Sequence, residues 1–65
     1  MTYLEILNWA RRGIAAEKEK MRDMQERAIG GGAQKLVQSI QEEIDRLEVK
    51  EATLDELEEI HDRKD

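Results

Sequence analysis

Glu58-x-x-His61 has the spacing that carboxylate-bridged two-metal centres use inside helical bundles. Such a centre also needs a glutamate from a facing helix. Glu17 is the one acidic residue on the apolar seam of the first half, and its register sets it opposite Ile44, more than two turns from Glu58. No metal site is therefore expected, and His61 reads as an exposed residue that complements a helix C-terminus. Nucleophilic chemistry has no better footing. Ser39 is the sole serine and His61 the sole histidine, and on one continuous helix roughly 33 Å separates them. Gly30-Gly31-Gly32 lacks the Lys and Ser/Thr of a phosphate-cradling loop. Neither catalytic residues nor a cofactor site is expected, and the chain reads as a non-enzyme.

Basic residues offer a second kind of chemistry. Arg11, Arg12, Lys18 and Arg22 are candidate phosphate contacts, with Trp9 beside them able to stack on a base. Glu17, Glu19, Asp23 and Glu26 are interleaved with them, which favours a solvated face laced with ion pairs. The net charge of −5 works against wrapping nucleic acid with the whole surface. The acidic residues are concentrated after the glycines, so any such binding falls to the first half.

The elements that must position these groups are helical. The 65-residue chain has no proline and no cysteine, and three of its four glycines stand together near the midpoint. A triple glycine costs a helix interior about 1 kcal/mol per residue relative to alanine, so it reads as a hinge. Thr2 and Glu5 make a capping box at the first helix start. From there Leu7, Ile14, Met21 and Ala28 form one heptad column, and Tyr3, Ala10, Glu17 and Met24 a second. After the glycines, Ala33, Ile40, Leu47 and Leu54 form one column. Val37 and Ile44 begin the other, which then fails at Glu51 and Glu58. Thr53 and Glu56 repeat the capping-box pattern, so a kink or restart near Thr53 competes with a continuous second helix, the preferred reading. The fold expected is all-α, an antiparallel two-helix, coiled-coil-like hairpin forming a single domain over 1–65. Helix 1 covers about 3–28, the glycine loop 29–32 and helix 2 about 33–61. Folding at Gly31 sets Met21 against Ile40, Ile14 against Leu47 and Tyr3 near Leu57.

A lone hairpin covers one stripe of each helix. Tyr3, Leu4, Ile6, Leu7 and Trp9 place apolar groups almost all round the first turns, and surplus apolar surface marks protein contacts. These five are the interface candidates. The simplest occupant is a second copy, giving a homodimeric four-helix bundle; another helical protein is the alternative partner, and nucleic acid the less favoured one. No apolar run approaches the roughly 20 residues of a membrane span, so a cytoplasmic protein is expected.

The opening Thr2-Tyr3-Leu4-Glu5-Ile6-Leu7-Asn8-Trp9-Ala10-Arg11-Arg12-Gly13-Ile14 resembles the starts of short, uncharacterised helical-hairpin proteins of phages and prophages of Gram-positive bacteria. The resemblance covers about the first 25 residues. It implies a small accessory protein of a mobile element and carries no activity across. Leu7-Asn8-Trp9-Ala10-Arg11 is also similar to the first helix of the plasmid RNA-binding hairpin dimers of the Rop type. This chain departs from that family in its glycine loop, its acidic second helix and its lack of phenylalanine. The function expected is a self-assembling interaction or adaptor protein. The alternative is an RNA-binding regulator using Arg11, Arg12, Lys18 and Arg22.

Overall fold

The structure, a computed structural model, describes residues 1–63. Helix α1 spans Tyr3–Gly30 and helix α2 spans Gln34–Arg63. Thr2 caps α1 as its type predicts: it is extended, and its Oγ1 accepts a hydrogen bond from the Glu5 amide at 3.2 Å. α1 runs two residues beyond the expected end, because Gly30 keeps helical geometry. The turn is Gly31–Ala33. Carbonyls left open at the end of α1 are taken by the amides that follow: Gly31 donates to Arg27, Gly32 to Ile29 and Ala33 to Ala28, at 3.0–3.1 Å. Among the described residues only Gly32 has positive φ, at 74°.

α2 is continuous through Thr53. The Thr53 hydroxyl donates to the Val49 carbonyl at 3.0 Å, four residues back in the same helix. Bonded there, the side chain is spent on the helix interior rather than on a new start. The restart signature is therefore silent, and α2 crosses Ala52–Glu56 unbroken.

The buried core is a short apolar ladder of Leu7, Ala28, Ile40, Ile44 and Leu47. Ala28, Ile40 and Ile44 cluster together, with Met21 and Val37 packed against them. The first heptad column of α1 and both columns of α2 therefore face the seam as read from the sequence. The second column of α1 does not. Arg11, Lys18 and Gln25 take the half-buried positions expected for Ala10, Glu17 and Met24, and the last two are exposed. The seam is thus rotated by one residue along α1. At the open end Tyr3 lies near Leu57 as expected, the two sharing a hollow with Ile60 and His61, and the Tyr3 ring also meets His61, with centroids 5.0 Å apart. His61 does lie in the last turn of α2, but it is packed rather than exposed.

Candidate interaction surface

The rotation of α1 follows from charge. The column of α2 that fails as an apolar stripe, Glu51 and Glu58, is met by the cations that α1 turns toward it. Lys18 Nζ donates to Glu51 Oε1 at 2.6 Å and lies 4.0 Å from Glu48. Arg11 Nη2 donates to Asp55 Oδ1 at 2.8 Å and also to Glu58. Arg22 approaches Glu48 at 3.9 Å. Toward the turn, Gln25 continues the polar row by donating to Gln41 at 2.9 Å. The aliphatic stems of Arg11 and Lys18 lie along the seam while their heads reach the carboxylates. Their side chains keep only 29% and 15% exposure.

The Glu58 hydrogen bond pushes the Arg11 guanidinium above its ordinary pKa, with burial opposing it and the two carboxylates adding to it. The Arg11 Nε is buried without a partner among the described residues. A half-buried ion pair loses much of its Coulomb attraction to desolvation. Replacing both members of the less exposed pair, Lys18→Leu with Glu51→Leu, should therefore unfold thermally at or above the parent temperature. Lys18→Leu alone should lose about 1 kcal/mol, because it leaves Glu51 unpaired. Thermal unfolding followed by circular dichroism checks both.

One broad face of the hairpin is closed by this ionic row. The opposite face is different. Along α1 it carries the column Tyr3, Ala10, Glu17 and Met24, and along α2 the column Leu36, Glu43, Lys50 and Leu57. Between them runs a groove. Near mid-length it is lined by Gly13, Ile14, Glu17, Leu47 and Lys50. Toward the open end it is lined by Ala10, Ile14, Val49, Lys50, Thr53 and Leu54, and the surface they present is almost wholly carbon. At the end itself Tyr3, Leu57, Ile60 and His61 form a further hollow. Gly13 has no heavy atom within 4 Å of where a Cβ would stand, so the missing side chain leaves the groove open.

The residues singled out from the sequence are dispersed by this geometry. Tyr3 and Ile6 lie on the apolar face, half exposed. Leu4 turns to the opposite side of the seam. Leu7 is buried inside the hairpin. Trp9 stands at the outer rim of the groove, 70% exposed. Arg11, Lys18 and Arg22 are directed at carboxylates of α2, whereas Arg12, the fourth candidate, has no ion-pair partner among the described residues. They do not make one continuous exposed basic stripe. The missed feature is the pairing of Arg11 and Lys18 with Glu58 and Glu51. Its signal was present as matching seven-residue spacings, 11 to 18 and 51 to 58.

Among the described residues, no group of three or more His, Asp or Glu is arranged to hold a metal ion, and no helix is long and apolar enough to cross a membrane. Compared with known proteins, the chain matches no family model, no curated protein and no solved structure.

Proposed function

We infer that this protein is a non-enzymatic interaction module that assembles with itself through its apolar broad face, acting in the cytoplasm as a small adaptor. The observation that carries this reading is the inequality of the two faces. One spends its charges on intramolecular pairs. The other leaves Tyr3, Ile6, Met24, Leu36, Leu57 and Ile60 between one third and about half exposed around an open groove. Surface of that kind is stabilised when another helical surface covers it. The phage-like opening at residues 2–14 agrees with an accessory role in a mobile element.

Light scattering at tens of micromolar is expected to give twice the 7.6 kDa chain mass. A fully helical monomer at that concentration overturns the reading. Trp9→Ala is expected to weaken assembly, because an exposed tryptophan at the rim of an apolar groove is the kind of residue that anchors contacts. The rival reading, an RNA or DNA regulator, needs cations free for phosphate, and Arg11 and Lys18 are largely engaged by α2. Titration with structured RNA and duplex DNA at low salt is expected to show no sub-micromolar binding. Binding at that level, lost on Arg11→Ala with Arg12→Ala and weakening steeply with salt, would favour the regulator instead.

A further inference from the structure

We propose that the occupant of the apolar face is a second copy related by a two-fold axis parallel to the helices, so that both turns lie at the same end and Glu17 of each copy pairs with Lys50 of the other. This rests on the reading of that face as a self-association surface and adds its orientation.

Glu17 and Lys50 flank one groove, across from each other, together with Ile14 and Leu47. Neither has an ion-pair partner among the described residues. Each stands within two residues of the middle of its own helix. Lys18, next to Glu17, lies between Glu48 and Glu51, which fixes Glu17 and Lys50 at nearly the same level. Glu43, the other acid in the α2 column, is already engaged by Arg46.

Two orientations let one broad face cover its own copy completely. With the axis across the helices, α1 lies antiparallel on α1 and α2 on α2. Full overlap then sets Glu17 against Glu17 and Lys50 against Lys50, and like charges directly opposed are unfavourable. It also lays the apolar open end over the turn end. With the axis along the helices, α1 of one copy lies on α2 of the other at the same level. Glu17 then meets Lys50 twice, by symmetry. The open-end cluster of Tyr3, Leu57 and Ile60 lies on its own counterpart, and Met24 comes level with Glu43, whose carboxylate is already engaged by Arg46. The face is large enough. The hairpin backbone measures 52 × 17 Å across it, close to the roughly 800 Å² per partner of a standard interface.

The chain has no cysteine, so Gln34→Cys places a single nitroxide at the start of α2, beside the turn. Dipolar spectroscopy on the full chain is expected to give a label separation of roughly 15–25 Å in the parallel arrangement. The antiparallel one would give about 40 Å or more, the length of a 28-residue helix. In parallel, Glu17→Lys and Lys50→Glu are each expected to raise the dimer dissociation constant roughly tenfold. The double exchange, which restores opposite charges, should return it to within about threefold of the parent. Circular dichroism checks that each exposed-site variant remains helical. A dimer with the long separation, or single exchanges without effect, overturns the proposed orientation while the self-association reading stands. A helical monomer overturns both.

Discussion

Ile40→Asp is expected to abolish the helical signal at 25 °C. Ile40 is 4% exposed at the centre of the one well-buried cluster, with Ala28 and Ile44 around it and Met21 and Val37 packed on them. A carboxylate there has no cation within the cluster, and burying an uncompensated charge costs several kcal/mol. A 65-residue chain has on the order of 3–10 kcal/mol of net stability to lose. The five buried residues leave no second core to hold the hairpin together. Ile14→Asp makes the sharper comparison. Ile14 is on the same heptad column but only half-buried, at the edge of the open groove. Its carboxylate can reach water, so this variant should keep partial helicity and unfold at a lower temperature. Far-ultraviolet circular dichroism with a urea titration measures both. If Ile40→Asp unfolds with the parent midpoint, the buried cluster does not hold the two helices together.

The reason for that contrast also shows which parts of the fold were legible in the sequence. Leu7, Ile14, Met21 and Ala28 repeat every seven residues, and the same holds for Ile40, Leu47 and Leu54. Periodicity of that strength leaves one way to bury both stripes, so the hairpin and its seam on α2 follow. Thr2 and the glycine turn mark the ends by known backbone chemistry. The second column of α1 is not legible from apolar character alone. Tyr3, Ala10 and Met24 are more apolar than Arg11, Lys18 and Gln25, and a seam chosen by hydrophobicity takes the former. The fold takes the latter because Glu51 and Glu58 occupy the facing column and need cations. An apolar column opposite two carboxylates would leave both charges half-buried and unpaired. The Tyr3 column still faces somewhere apolar: it borders the groove on the open broad face. The stripe is real, and it belongs to a different surface. Thr53 failed as a restart signal for a related reason. Its hydroxyl had two hydrogen-bonding choices, and continuous apolar packing at Leu47 and Leu54 decided between them.

The ionic row and the open groove are two consequences of the same rotation. Turning Arg11 and Lys18 toward α2 necessarily turns Ala10, Glu17 and Met24 out to the other broad face. The chain thereby covers the less apolar side of α1 and exposes the more apolar one. In a hairpin that acts alone this arrangement wastes hydrophobic surface, worth roughly 25 cal/mol per Å² when buried. In a hairpin that meets a partner, it is the arrangement that keeps the partner's surface free. Glu17, isolated on that surface, is then matched by Lys50 rather than by anything in the seam.

The turn carries the second large effect. Replacing Gly30, Gly31 and Gly32 together by alanine should convert the hairpin population toward one long helix. Gly32 alone has φ of 74°, a conformation that costs an L-residue roughly 1–2 kcal/mol. The other two glycines are used less strictly. Gly30 is helical with open space where a Cβ would stand, and Gly31 has φ of −86° and only ordinary contacts there. Gly30→Ala should therefore stabilise the hairpin by about 0.5–1 kcal/mol, through higher helix propensity and a less flexible unfolded chain. Gly32→Val should destabilise it by about 1–2 kcal/mol, since a β-branched side chain tolerates positive φ least. With alanine at all three positions, the break disappears and helix propensity runs unopposed from Tyr3 to Arg63. A continuous helix of about 60 residues is about 90 Å long, against the 52 Å backbone length of the hairpin. Small-angle scattering distinguishes these directly. A maximum dimension that stays at the hairpin value in the triple variant would mean that seam packing, with its Arg11 and Lys18 pairs, holds the fold without help from the glycines. A single Gly32→Ala that behaves like Gly30→Ala would show that the positive φ at Gly32 is not required to close the turn.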